Sequence, residues 1–437
     1  MRNAGECTGA GATVQVARRA LAVALGGAVW LGALGAARAQ SAAPAGVVPG
    51  VEVLLADSLH LVRGKRVGLI TNPTGRDRRG ASTADLLARA PGVRLTALFG
   101  PEHGIRGTAA AGAHVASSVD SATGVPVYSL YGATRAPTRA MLRDVDVLVY
   151  DIQDVGARVY TYEWTMALAA AAADSAGIPF VVLDRPDPVR ADRVEGGVLD
   201  PRFASFVGQY PVAMRYGLTP GELLRYLAGT GRVPVRRLTV VPMRGYRRAQ
   251  WYDATGLARL DPSPNLRSLD AELLYTGTVL FEGTNVSEGR GTDAPFLQVG
   301  APWLSDAPAI VATLNRYVLE AGDAPPIEGV RFEAVTRPVA PGTEKYGGQT
   351  IPMVRVVVTD REQVQASAVG LRMLCAIYAA HPREFAWRAS HADRLAGSDR
   401  MRRAVEAGED AVDQLLRQYV REARAFEAET ARYRLYR

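Results

Sequence analysis

The sequence predicts an α/β protein with a mostly parallel sheet, and three observations carry that prediction. Short apolar runs recur along the chain with helix-forming stretches between them. Each run stops at a polar cluster punctuated by glycine or proline. At 437 residues the chain is too long for one ordinary domain, so two are expected. Apolar strands that alternate with helices form parallel sheets through right-handed crossovers. The polar clusters at their carboxyl ends then share one edge, which is where open α/β sheets hold ligands.

The first run is Val67-Gly68-Leu69-Ile70, followed by Thr71-Asn72-Pro73-Thr74-Gly75. A helical stretch from Thr83 to Ala90 leads into the strand Val93 to Phe99, which stops at Gly100-Pro101. Pro101 has no N–H for a sheet ladder, so the strand ends there. Glu102, His103 and Arg106 follow at once, with Gly104 and Gly107 letting the loop bend. After a looser, glycine-rich segment comes Val125 to Leu130, then Asp146 to Tyr150 ending in Asp151-Ile152-Gln153-Asp154-Val155-Gly156. Ala167 to Ala176 favours helix, and the strand Ile178 to Leu183 ends in Asp184-Arg185-Pro186. Asn72, Glu102, Asp151, Asp154 and Asp184 therefore belong to one sheet edge.

Further on, Thr219-Pro220-Gly221-Glu222 reads as a helix start, with a capping threonine, proline at the first position and glutamate at the third. Leu238 to Pro242 is a strand and Asp261-Pro262-Ser263-Pro264-Asn265 a rigid loop. Polar groups sit between glycines from Gly283 to Asp293. Val354 to Val358 is a strand with a helix behind it from Arg361 to Tyr378, and Ser398 to Tyr433 forms an amphipathic helix pair.

The N-terminus is expected to lie outside the fold. Arg18-Arg19, an apolar segment from Ala20 to about Gly35, and Ala37-Arg38-Ala39 make up a secretory signal over residues 1–39. The arginine pair leaves Sec and twin-arginine export both open, and the apolar stretch is short for a membrane span. Cleavage would remove four arginines and Glu6, lowering the formal charge from +7 to +4. It would leave Cys375 alone, in an apolar helical stretch where a core role is expected. Residues 40–50 are an Ala/Pro/Gly leader, with domains expected over 51–205 and 206–437.

Hydrophobic content of 48% and charged content of 22% are those of a globular protein. Of 51 basic residues only Lys65 and Lys345 are lysines, so a further arginine is weak evidence of chemistry. No basic run long enough for a nucleic-acid tail is present. GxxxxGK[ST], GxGxxG, HExxH and GxSxG motifs are absent, which removes the usual sequence support for nucleotide binding, zinc hydrolysis and a serine-hydrolase elbow.

The chemistry rests on carboxylates in glycine-punctuated loops: Glu102, Asp151, Asp154, Glu288 and Asp293. Glycoside hydrolysis needs two such groups, ~5–5.5 Å apart for retention or ~6.5–9.5 Å for inversion. The same residues are a candidate Mg²⁺ or Ca²⁺ cluster, but no recognisable ligand spacing is present, and no metal is assigned. Arg106, Arg158 and Arg290 are candidate clamps for a substrate carboxylate. Tyr160, Tyr162 and Trp164 share one face if the segment is extended, for sugar stacking or core packing.

Several segments together resemble the NamZ-like exo-β-N-acetylmuramidases. They are Gly68 to Gly75, Leu98 to Gly107, Tyr150 to Arg158, Leu183 to Pro186, Glu282 to Thr292 and Gly300 to Trp303. The resemblance implies a Rossmann-like domain joined to a smaller α/β (α+β) domain, with the active site in the cleft between them. It implies release of N-acetylmuramic acid (MurNAc) from the non-reducing end of peptidoglycan fragments, without a cofactor. The substrate would be MurNAc-GlcNAc or a muropeptide, met in the periplasm or outside the cell. By motif position the catalytic glutamate falls on Glu102, with Glu288 or Asp151 as the second group. A substrate-assisted route through the acetamido group stays open.

Candidate substrate contacts follow loop by loop. The first loops supply Asn72, His103 and Arg106. The next supply Gln153, Asp154, Arg158, Tyr160 and Asp184. The glycine-rich loop supplies Asn285, Ser287, Arg290 and Thr292. A non-catalytic muropeptide- or sugar-binding protein is the alternative, because two α/β lobes around a cleft also suit capture. A hydrolase of an amide or phosphoester bond is a third reading. No nucleic-acid partner and no membrane anchor after signal cleavage are expected.

Overall fold

A computed structural model describes residues 46–102, 104–106, 118–319 and 327–437. The expected signal segment 1–39, the start of the leader and His103 lie outside the described residues. The end of the leader is tied down: the Val47 amide donates to the Thr255 carbonyl and Val48 bridges to Arg244.

Chain order sets out the first layer. Helix α1 (Gly50–Asp57) precedes β1 (Arg66–Thr71), α2 (Thr83–Arg89), β2 (Arg94–Gly100), β3 (Ser118–Val119), β4 (Pro126–Ser129) and β5 (Val147–Asp151). Helix α3 (Tyr162–Ser175), β6 (Phe180–Leu183), a ribbon of β7 (Glu195–Val198) and β8 (Ala213–Arg215), α4 (Pro220–Gly229) and β9 (Leu238–Val241) follow. The main sheet has the order β3-β4-β2-β1-β5-β6-β9, and every pairing is parallel except β3 with β4. Strand β9 closes this sheet from beyond residue 205, so the first sheet draws on chain that the sequence reading gave to the second domain.

The period of two along each strand explains why these runs are apolar throughout. Val67, Leu69, Leu98, Val147, Val149, Val181 and Leu183 face α1 and α2. Their neighbours Ile70, Phe99, Leu148, Tyr150, Phe180 and Val182 face the other core, which runs through α3 and α4 into the second half. The capping box at α4 is present: Thr219 Oγ1 accepts from the Glu222 amide, and the Thr219 amide donates to Glu222 Oε2.

The second half holds α5 (Leu269–Thr278), β10 (Gln298–Gly300), α6 (Ala307–Leu319), β11 (Val330–Pro338), β12 (Thr350–Val358), α7 (Ala366–Ala380), α8 (Ala389–Ala396), α9 (Arg400–Ala407) and α10 (Glu409–Thr430). Strands β10, β12 and β11 form an antiparallel sheet. Cys375 is buried in α7, as expected. Among the described residues no helix is long and apolar enough to cross a membrane. Beyond α10 the chain returns to the first sheet. The amides of Leu435 and Tyr436 donate to Glu222 Oε1, and the Tyr436 hydroxyl donates to Asp184 Oδ2 at 2.6 Å.

Helices α5 and α7 cross where Gly277 meets Gly370. A Cβ on Gly277 would overlap the Ala366 carbonyl, and one on Gly370 would overlap the Gly277 carbonyl. Both obstacles are backbone, so neither can swing aside. Gly277→Val is expected to lower the unfolding free energy by about 3 kcal/mol or more, at the upper end for overpacking. A urea denaturation curve checks it, and an unchanged midpoint would contradict the crossing described.

Candidate functional site

A narrow cleft opens where the carboxyl-end loops of β2 and β5 face the 263–266 loop, α5 and the glycine-rich loop of the second half. Its space, including the open mouth, is about 490 Å³. Glu102, Tyr160, Tyr162, Asn265, Tyr275 and Arg290 are among the residues that line it.

Glu102 reaches the cleft because β2 stops at Gly100 and the chain turns at once. The Gly104 amide donates to the Pro101 carbonyl at 3.0 Å, with Gly104 at φ +72°. Only a residue without a Cβ takes that conformation freely. Glu102 is half-buried, and the Tyr131 hydroxyl is hydrogen-bonded to its side chain. Burial, then the Glu102 charge, push the Tyr131 phenol up to about 12.

Four aromatic rings cross the floor of the cleft. Tyr162 meets Tyr160 edge-on at 4.7 Å, Tyr160 meets Tyr275 at 6.2 Å, and Tyr275 meets Phe296 at 4.8 Å. The Arg290 guanidinium lies over Phe296 at 5.0 Å. Tyr160 is anchored by its hydroxyl, which donates to the Pro262 carbonyl at 2.7 Å. Glu102 and Arg290 thus stand at the two ends of an aromatic row. The segment from Tyr160 on is not extended, so Tyr160, Tyr162 and Trp164 do not share a strand face. Helix α3 begins at Tyr162, and Trp164 turns into the core with its Nε1–H donating to the Arg158 carbonyl.

Arg290 is held from behind. Its Nη2 donates to Glu282 Oε1 at 2.6 Å, and its Nε lies 3.1 Å from Glu288 Oε1. Burial works against the guanidinium charge, but the Glu282 and Glu288 carboxylates outweigh it and raise its pKa above the ordinary arginine value. Glu282 is itself raised by burial. Glu288, expected as a catalytic group, is 4% exposed and does not line the cleft; its oxygens are taken by Arg290 and Lys345.

Other expected contacts are placed elsewhere, and the reason recurs: buried polar groups must find partners. Asp151 is fully buried, bound by Arg185 through Nε at 2.5 Å and Nη2 at 3.0 Å, and by the Thr83 hydroxyl. Arg158 is fully buried too. It donates to the Gly197, Val212 and Leu395 carbonyls, and burial lowers its pKa to about 10. Asp154 accepts from the Gly156 amide and the Tyr216 hydroxyl, and burial raises it well above the usual carboxylate range. Gln153 donates to the Asp154 and Pro186 carbonyls.

Asp184 sits under α4, accepting from Thr219, Gly221 and Tyr436. Asn72 is buried, with its Oδ1 accepting from Thr74 and a hydrogen bond to the Tyr162 side chain. In the glycine-rich loop, Ser287 and Thr292 are buried and cap its turns. Asn285 bridges to Glu384 and Ala386. Arg106 pairs with Asp120.

The structure therefore brings together Glu102, Tyr160 and Arg290 from the expected set. Sequence reasoning missed Tyr131, Asn265 and Tyr275. The rigid proline loop before Asn265 was a signal for that residue, whereas a tyrosine inside a helix pattern carries none. Among the described residues no group of three or more histidine, cysteine or acidic side chains is arranged to hold a metal ion.

The chain is thus a two-domain α/β protein with an acid and an arginine lining one cleft. Family models described as exo-beta-N-acetylmuramidase NamZ, N-terminal and C-terminal, match residues 67–270 and 273–436. The chain belongs to the NamZ exo-β-N-acetylmuramidase family. It is 41% identical over 398 residues to the peptidoglycan beta-N-acetylmuramidase NamZ of Bacillus subtilis (strain 168), covering 91% of this chain and 93% of that one. Two solved DUF1343 family proteins of Bacteroides fragilis NCTC 9343 share the architecture. One has a TM-score of 0.80 at 35% identity and the other 0.70 at 28%. Each alignment covers 90% of this chain and 99% of the other.

Asp184 carries a pH signature. Burial pushes it up to about 7, against the hydrogen bonds from Tyr436, Gly221 and Thr219. An unfolded aspartate titrates near about 3.9, so the folded chain holds this proton more tightly. The resulting stabilisation is complete below pH ~4 and is lost as pH rises to about 7. Asp184→Asn removes that dependence. Wild type is expected to lose more stability than the variant between pH 5 and pH 7.5, read as unfolding free energy in urea; parallel profiles would contradict it.

Proposed function

We propose that this chain is an exo-acting β-N-acetylmuramidase that removes N-acetylmuramic acid from the non-reducing end of peptidoglycan fragments, either MurNAc-GlcNAc or a muropeptide. The observation that carries the reading is Glu102 at the mouth of β2, facing Arg290 across the aromatic row in a cleft of the NamZ fold. Glu102 protonates the departing glycosidic oxygen. The Tyr131 hydroxyl fixes the rotamer of that carboxyl. Tyr160 and Tyr275, each 7% exposed, give the sugar the ring edges that line the cleft. Arg290 pairs with the carboxylate of the lactyl ether, the group that distinguishes muramic acid from glucosamine. The N-terminal signal pattern supports a periplasmic or secreted enzyme of cell-wall turnover.

General-acid catalysis contributes about a hundred- to ten-thousandfold, so Glu102→Gln is expected to lower kcat on MurNAc-GlcNAc by about a thousandfold. Binding of the disaccharide should survive. The loss should be smaller on a nitrophenyl N-acetylmuraminide, whose leaving group needs little protonation. Equal losses on both substrates would remove Glu102 from the acid role. A binding protein would show no turnover in either form.

Arg290→Met is expected to raise KM for the muraminide about ten- to a hundredfold, the range for a hydrogen bond between charged groups. The nitrophenyl N-acetylglucosaminide, which has no lactyl carboxylate, should be nearly unaffected. Comparative kinetics on the two glycosides check it.

A further inference from the structure

Arginine makes up 49 of the 51 basic residues, and Lys345 is one of only two lysines, the other being Lys65. It is 8% exposed. Its ammonium donates to the Phe281 carbonyl at 2.9 Å, the Val286 carbonyl at 2.8 Å and Glu288 Oε2 at 2.9 Å. All three donors are used, and three acceptors gather around one nitrogen. A planar guanidinium spreads five donors over a longer fork and does not fit that arrangement.

These bonds tie together both ends of the segment that leads to Arg290. Glu288 accepts from Lys345 on one oxygen and faces Arg290 Nε with the other. The backbone nearby departs from ordinary geometry. Tyr346, next to Lys345, has φ +61°, and Phe296, beneath Arg290, has φ +62°. Non-glycine residues seldom adopt this region and persist there where the surroundings over-determine them. The Tyr346 hydroxyl donates to the Asn285 carbonyl at 2.5 Å, which pins the same loop.

We propose that Lys345 is a positioning residue that acts through Glu288 to aim the Arg290 guanidinium into the cleft and so sets the preference for a carboxylate-bearing sugar. This rests on the reading of Arg290 given above. Glu288 is then part of the support behind Arg290 rather than a group that meets the sugar. Lys345 offsets the Glu288 charge that Arg290, already paired with Glu282, would otherwise meet alone. Without it Glu288 Oε2 loses its partner and turns to Arg290, which already holds Glu288 Oε1 and Glu282, and the guanidinium is pulled away from the cleft.

The test uses the full chain with Lys345→Met, Lys345→Arg, Glu288→Gln and Lys345→Met combined with Arg290→Met. Kinetics are measured on nitrophenyl N-acetylmuraminide and N-acetylglucosaminide, and affinity for free N-acetylmuramic acid by calorimetry. Lys345→Met is expected to raise KM for the muraminide about tenfold or more, within the loss expected for Arg290→Met, with kcat within about threefold. It should weaken N-acetylmuramic acid by a similar factor and leave the glucosaminide nearly unchanged. Lys345→Arg should not restore the preference. In the Arg290→Met background, Lys345→Met should have no further effect, the signature of two residues acting as one unit.

Equal losses on both glycosides, additive effects in the double variant, or an unchanged KM would overturn the proposal. Glu288→Gln serves where Lys345→Met fails to fold. A raised KM supports the positioning role, whereas a collapsed kcat makes Glu288 catalytic and overturns it. A wild-type chain that binds N-acetylmuramic acid without hydrolysing the muraminide overturns the enzymatic reading alone, and calorimetry of the variants still decides the role of Lys345.

Discussion

The architecture depends on the buried ion pair between Asp151 and Arg185. Strand order reverses between β1 and β5, and in doubly wound sheets the crevice at that point holds a nucleotide. Here the chain fills the crevice itself. Asp151 ends β5, Arg185 follows β6 and also donates to the Arg76 carbonyl, and the Thr71 hydroxyl donates to the Asp151 carbonyl. A Cβ on Gly75 would overlap Thr71 Oγ1, so the turn after β1 closes tightly over the same spot. Losing one partner of such a pair leaves an uncompensated buried charge, at a cost of about 3–5 kcal/mol.

Because the reversal point is plugged, the open surface moves sideways along the sheet edge, to the loops after β2 and β5. Glu102 needs that displacement: it sits one strand away from the plug, where the second half can reach over it. The aromatic row from Tyr162 to Phe296 then gives the two halves a shared, closely packed floor. An acid carried by one half and a cation carried by the other thereby line the same cleft.

The alternation of apolar runs and helices made the first sheet legible, and the Thr219 cap was legible residue by residue. Glu102 was legible because a glycine-proline stop forces the next residue out of the strand. The other carboxyl-end residues shared its position in the pattern but not its fate. Asp151, Asp154 and Asp184 lie where the chain re-enters the core, so their polar atoms answer buried backbone and buried side chains. Composition cannot separate these cases, since both place an acid after a strand. Strand β9 was recognised as a strand, yet its membership of the first sheet depends on a long-range pairing that no local pattern encodes. Tyr131 and Tyr275 matter only through what faces them.

The docking of residues 435–437 on α4 and β9 bears on how the molecule is made. Glu222 and Asp184, both buried in the first layer, accept hydrogen bonds from Leu435 and Tyr436. A ribosome delivers those residues about two hundred positions after α4 has emerged, at about 5–20 residues per second. During that interval the nascent first layer lacks the bonds that Leu435 and Tyr436 add to these two carboxyls, which until then rest on Thr219, Gly221 and Arg248. Its completion is therefore coupled to the synthesis of the final helix rather than to its own.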